Sequence, residues 1–178
     1  MNLRQVGRRQ TAVSTPTQEP IIRLRDVGKV YTTGSGDFTA LREVNLDVYP
    51  GEFLGVIGKS GAGKTTLLNM ISGVSEITSG TVTFQAAGAG STPITLNDLS
   101  EDELALWRGR NLGIVYQSFE LLPSLDLVNN IMLPQDFIGA YQPAISKERA
   151  LELLEMVELR EHAYKLPAHI SGGQKQRV

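Results

Sequence analysis

Residues 53–72, FLGVIGKSGAGKTTLLNMIS, constrain this chain more than any other stretch, because an apolar run breaks into glycines and then resumes at helical spacing. That order predicts a strand, a phosphate-binding loop and a helix. Gly58, Lys59, Ser60, Gly61, Ala62, Gly63, Lys64 and Thr65 fit G-x-x-x-x-G-K-[ST] at every fixed position. A polyphosphate needs several N–H donors aimed at one point, and only glycine lets backbone approach that closely or turn with positive φ. The helix start adds unpaired N–H groups and the positive end of its dipole. Lys64 offers a charge to the β- and γ-phosphates of ATP, and Thr65 offers a hydroxyl to Mg²⁺. Thr66 beside it completes the candidate nucleotide contacts of this stretch. The plainer alternative is a glycine-rich turn with a solvated lysine; the complete octet, with both flanks in place, weighs against it.

Composition narrows the partners. At 178 residues and 41% hydrophobic content the chain is sized for one domain with a real core. A net charge of −2 lacks the basic footprint of a nucleic-acid binder. With no cysteine, disulfides, thiolate metal sites and a cysteine nucleophile are excluded, which fits a reducing cytoplasm. No apolar run approaches the roughly 18 residues that span a bilayer. Direct membrane insertion is therefore not expected, and a membrane role must come through a partner.

Along the chain, residues 1–20 are polar and carry Arg4, Arg8 and Arg9, so they read as a disordered tail. Residues 21–25 partly alternate and predict a first strand, with Tyr31 ahead of a Gly/Ser/Thr loop at 32–37. Residues 44–49 alternate strictly, and Pro50-Gly51 predicts a turn into the strand at 53–57, making an antiparallel hairpin. A helix is expected over 64–72, a short strand over 81–84 and a low-complexity loop over 86–93. Ser100 and Glu103 form a capping-box pattern ahead of a short helix, and residues 112–116 predict a buried strand ending at Gln117. Pro123 and Pro134 predict irregular helical pieces over 121–139. Ser146 is expected to cap a helix over 147–159 with Ala150, Leu151, Leu154 and Val157 on one face. His162 and His169 are read as solvated or capping residues, and no metal site is expected at them.

Three features stand in a fixed order: the loop at 58–65, Gln117 after its strand, and Ser171-Gly172-Gly173-Gln174 near the end. Together they resemble the Walker A, Q-loop and signature motifs of the nucleotide-binding subunit of ATP-binding-cassette (ABC) transporters, with Ile170 where the signature has leucine. Residues 27–31, VGKVY, resemble the strand leading to that family's adenine-stacking aromatic, here Tyr31. Residues 117–134 resemble in particular the lipoprotein-releasing and macrolide-export branch. The resemblance covers residues 21 to 178.

It implies an α/β P-loop NTPase fold of the ABC type, with an antiparallel β subdomain and a helical subdomain at about 118–170. It also implies ATP and Mg²⁺ as ligands, with Thr65 and the Gln117 carbonyl on the metal. The implied partners are a transmembrane permease and a second ATP-binding subunit, paired head to tail so that Ser171, Gly172, Gly173 and Gln174 of one chain close on the γ-phosphate held by the other. The location implied is cytoplasmic and peripheral, at the inner face of the cell membrane. The residues alone leave alternatives open: Gln117 is equally a surface glutamine, Tyr31 a packed aromatic, and Ser171 an N-cap before a glycine turn.

The family continues with an apolar strand ending in Asp-Glu and then a switch histidine, and no run of four apolar residues followed by aspartate occurs in this sequence. No catalytic residue is therefore assigned, and acid–base help of that kind is typically worth about 10² to 10⁴ in rate. The expectation is a C-terminally incomplete cassette that binds ATP, hydrolyses it poorly or not at all, and is marginal and prone to aggregate. The main function expected is coupling ATP to export of a lipoprotein, lipid or amphipathic compound. The alternatives are an inactive nucleotide-binding regulator and a soluble non-transport ABC protein.

Overall fold

A computed structural model describes residues 19–34, 36–86, 91–117 and 120–178. The expected tail at 1–20 lies outside them except for Glu19 and Pro20, as does the centre of the 86–93 loop. The chain gathers into two compact units that divide between Leu104 and Ala105.

The first unit is built on an antiparallel sheet. Strands β1 (Ile22–Thr33), β2 (Gly36–Val48), β3 (Ser79–Phe84) and β4 (Ile94–Thr95) lie in the order β2-β1-β3-β4. Leu24 on β1 pairs with Leu46 on one side and Val82 on the other, and all three are buried. Burying side chains of this size contributes roughly 1.5–3 kcal/mol each. Leu24 and Val27 both face inward although three residues apart, which breaks the period of two. A bulge at Asp26 explains this: its φ is 51°, its N–H donates to Asn45 Oδ1 at 3.0 Å, and Asn45 Nδ2 donates to Asp26 Oδ1 at 2.9 Å.

Helix α1 runs Lys64–Ile71, with Ser72 as its C-cap and Leu67 and Met70 buried. Helix α2 (Glu101–Asn111) starts on the expected capping box, in which Glu103 Oε2 accepts from the Ser100 N–H at 2.8 Å and from its hydroxyl at 2.7 Å. Those bonds hold the Glu103 carboxyl below its ordinary pKa.

Two expected strands are absent. Residues 52–59 form no ladder with any described strand, and the 44–48 segment pairs with β1 instead of with 53–57. The turn at Pro50-Gly51 does form, with the Glu52 N–H donating to the Tyr49 carbonyl at 3.1 Å. Leu54 and Val56 are half-buried while Phe53 and Ile57 are 98% and 72% exposed, so the side chains alternate without a neighbouring strand to bond. Residues 112–116 are likewise unpaired, and Ile114, Val115 and Tyr116 are exposed where burial was expected. Alternation or apolar character marks a segment able to join a sheet; the ladder itself requires a partner.

In the second unit, helices α3 (Leu127–Phe137) and α4 (Pro143–Met156) pack around Leu127, Val128, Met132, Ala150 and Leu154, joined by Leu159, Ala163 and Ile170. Helix α3 is continuous through Pro134, contrary to the expected break. At its start Asp126 caps the Asn129 N–H at 2.8 Å, and the Leu127 and Val128 N–H groups, which have no partner inside the helix, donate to the carbonyls of Lys165 and Ala163. Helix α4 begins before the expected cap because Pro143 suits a first helical position. Ser146 is thus buried inside it, its Oγ accepting from the Gln142 N–H at 3.0 Å. Helix α5 (Gly172–Arg177) follows the core residue Ile170.

Candidate functional site

The phosphate loop sits between the extended 52–57 segment and α1. Gly61 and Gly63 have φ of 76° and 80°, the left-handed region closed to most side chains. Gly63 is the N-cap of α1, and a Cβ there would lie 2.8 Å from the Ala40 carbonyl oxygen and 3.1 Å from Leu41. The loop's last turn therefore presses directly against β2. Among the described residues no side chain caps α1 and no acidic residue occupies its first turn. Its first N–H groups and dipole remain available to an anion. Lys64 Nζ folds back over the loop, donating to the Gly58 and Lys59 carbonyls at 2.9 Å each. Those bonds fix the ammonium at the mouth of the loop. Thr65 lies exposed at the second position of α1, with Thr66 half-buried behind it.

Tyr31 belongs to the same unit and lies near the end of β1, 37% exposed. Leu41, against which Gly63 packs, is paired with Lys29, and Tyr31 is paired with Phe38. The strand pair thus connects the phosphate loop to the aromatic. Lys29 Nζ lies 5.1 Å from the Tyr31 ring centroid and donates to the Glu76 carbonyl at 2.6 Å, a contact that sequence patterning did not point to.

The other candidates lie in the second unit. Gln117 is exposed at a bend. The segment after it is tied to α3 by Asn130, whose Nδ2 donates to the carbonyls of Leu125 and Asp126 at 2.9 Å and whose Oδ1 accepts from the Leu122 N–H at 2.7 Å. Asn130 carried no sequence signal beyond a polar residue in an early helical turn. Ser171 is the N-cap of α5 and Gln174 its reciprocal partner in a capping box. Ser171, Gly172 and Gly173 are all exposed. Buried Ile170 on one side, and Arg177 Nη1 donating to the Val157 carbonyl at 2.6 Å on the other, hold this short helix to its unit.

A cavity of about 350 Å³ lined by Met70, Gly73, Val82, Leu96 and Leu104 is at the opposite end of α1 from the phosphate loop. Its position and mixed lining give it no share in the phosphate chemistry. Among the described residues no cluster of His, Asp or Glu could hold a metal alone. Mg²⁺ commonly takes only one or two protein oxygens beside phosphates and waters, and the exposed Thr65 hydroxyl fits that pattern.

A glycine-shaped loop opening a helix against a sheet defines a P-loop nucleotide-binding fold. The sequence profile described as ABC transporter matches residues 41–178, and the chain belongs to that family. MJ0796, an uncharacterized ABC transporter ATP-binding protein of Methanocaldococcus jannaschii, is 41% identical over 163 residues, 89% of this chain and 66% of the relative. The methionine import ATP-binding protein MetN of Bartonella henselae is 40% identical over 158 residues, 89% of this chain and 43% of that protein. The macrolide export ATP-binding/permease protein MacB of Syntrophobacter fumaroxidans is 38% identical over 159 residues, covering 89% and 21%. This chain therefore spans from about a fifth to two-thirds of the length of these relatives. The solved dimer of MJ0796 in a post-hydrolysis state with ADP and Pi superposes with a TM-score of 0.76 at 39% identity, over 88% of this chain and 66% of that one. Among the described residues no helix is long and apolar enough to cross a membrane.

Proposed function

We propose that this chain is the ATP-binding part of an ABC transporter. The loop at 58–65 takes the β- and γ-phosphates of ATP, Thr65 takes Mg²⁺, and Tyr31 stacks on adenine. The observation that carries this reading is Gly63: its left-handed φ at the N-cap of an otherwise uncapped α1 supplies an anion cradle. Serving the γ-phosphate of a second copy head to tail is the role for Ser171, Gly172, Gly173 and Gln174, and the dimeric state of the MJ0796 structure supports such pairing. Binding and release of ATP then close and open the pair against a partner permease at the inner face of the membrane, driving export of a lipoprotein, lipid or amphipathic cargo. The relatives include a macrolide exporter and a methionine importer of equal likeness, so the export direction rests on the resemblance of residues 117–134 to the macrolide-export branch.

Calorimetric titration with Mg-ATP tests the site. Lys64→Met should weaken binding about 10- to 150-fold, the loss of a charge-assisted contact worth about 1.5–3 kcal/mol. Its unfolding free energy should move by less than about 0.5 kcal/mol, because the two bonds of Lys64 are exposed. Equal affinity in both proteins would refute the assignment.

A further inference from the structure

Lys29 meets Tyr31 and the chain leaving α1 at once. Both residues lie on β1 two positions apart, so their side chains share a face. The ammonium over the ring at 5.1 Å is within cation–π range, and the same nitrogen donates to the Glu76 carbonyl at 2.6 Å. Glu76 belongs to the segment between α1 and β3, which is also fastened to β1 through Thr78. The Thr78 N–H donates to the Gly28 carbonyl at 2.8 Å, and Thr78 Oγ1 accepts from the Val30 N–H at 3.0 Å. Lys29 is thus held at its head by fixed backbone, and Phe38 stands opposite Tyr31 across the strand pair. An exposed tyrosine ring ordinarily loses side-chain freedom when a ligand stacks on it, a cost that a preset ring avoids.

From this geometry we infer that Lys29 is a positioning residue for the base: it clamps the Tyr31 ring from one side, so that the ring meets a purine already oriented. The inference rests on the reading of Tyr31 as the adenine platform. Lys29 contacts no phosphate in this scheme, so its effect falls on the base-dependent part of affinity alone.

The test compares the dissociation constants of the full chain for Mg-ATP and for magnesium tripolyphosphate, which has no base. Lys29→Gln should weaken ATP roughly two- to fivefold and leave tripolyphosphate unchanged. Lys29→Arg, which keeps a cation able to lie over the ring, should retain the native ratio. In a Tyr31→Leu background Lys29→Gln should have no further effect on either ligand. Parallel weakening of both ligands, or a lowered melting temperature accounting for the change, would show a merely structural role and overturn the inference. An unchanged ratio in Lys29→Gln alongside a reduced one in Tyr31→Leu would reject Lys29 and spare the platform. A native ratio in Tyr31→Leu would reject the platform itself, and the clamp with it.

Discussion

Ser171 and Gln174 cap each other: the Gln174 N–H donates to Ser171 Oγ at 3.2 Å, and the Ser171 N–H donates to Gln174 Oε1 at 2.8 Å. The two side chains that sequence resemblance marks as nucleotide contacts are therefore first of all the start of a helix. The Ser171 hydroxyl proton and the Gln174 Nε2 group are left to donate elsewhere. Replacing Ser171 by alanine should cost about 1 kcal/mol of local helix stability. Hydrogen exchange at the amides of residues 174–177 reads it directly: faster exchange is expected in Ser171→Ala, and unchanged protection would mean that the cap does not hold α5.

Gly63 and Gly172 both stand at helix starts, yet they should respond oppositely to alanine. At Gly63 a methyl meets the Ala40 carbonyl oxygen at 2.8 Å in a left-handed conformation, whereas at Gly172 nothing lies within 4 Å and φ is not positive. Gly63→Ala should destabilise the chain by about 1–3 kcal/mol, and Gly172→Ala by less than about 0.5 kcal/mol. Chemical denaturation of both variants separates the cases, and a tolerant Gly63→Ala would show that the loop can be built another way.

Arg25 and Asp47 give the β1–β2 pair a pH dependence. Arg25 Nη2 lies 2.8 Å from both carboxylate oxygens of Asp47, and this bond holds the Asp47 carboxyl below its ordinary pKa while raising that of Arg25. A carboxyl depressed in the folded state binds its proton more weakly there than in the unfolded chain. Its contribution is complete above the ordinary aspartate range and is lost as pH falls through the folded value. Because the pair is partly solvated, the size is about 1 kcal/mol or less. Asp47→Asn should flatten the acid limb of the stability–pH curve and leave the slope at neutral pH alone; an identical acid limb would exclude the pair as its source.

Phe53 and Val115 are 98% and 99% exposed, an unusual placement for such side chains in extended segments. In the 178-residue polypeptide, Phe53→Ser and Val115→Ser should change unfolding free energy by less than about 0.5 kcal/mol and reduce light scattering on concentration. A large loss of stability in either variant would show that the side chain is covered.

Local chemistry was legible in the linear chain wherever a few neighbouring residues decide the outcome. The glycine spacing of 58–65 marked the loop, and Lys64 marked the start of α1. Ser100 and Glu103 marked the cap of α2, whereas the reciprocal bonding of Gln174 with Ser171 emerged only from the structure. The cap of α4 was misplaced because Ser146 satisfies a capping preference from inside the helix, where its hydroxyl still reaches the Gln142 N–H.

What only tertiary structure decided were relationships between segments distant in sequence. An apolar run such as 53–57 or 112–116 states that it can pair, but whether a neighbour bonds it is a property of the assembled sheet. The start of α3 is held by carbonyls from Ala163 and Lys165, which lie far along the chain. The Lys29–Tyr31–Glu76 contact likewise needs β1 laid against the segment that follows α1. Spacing fixes conformations set by sterics within a turn or two; contacts across tens of residues exist only once the burial of Leu24, Leu46 and Val82 has brought their strands together.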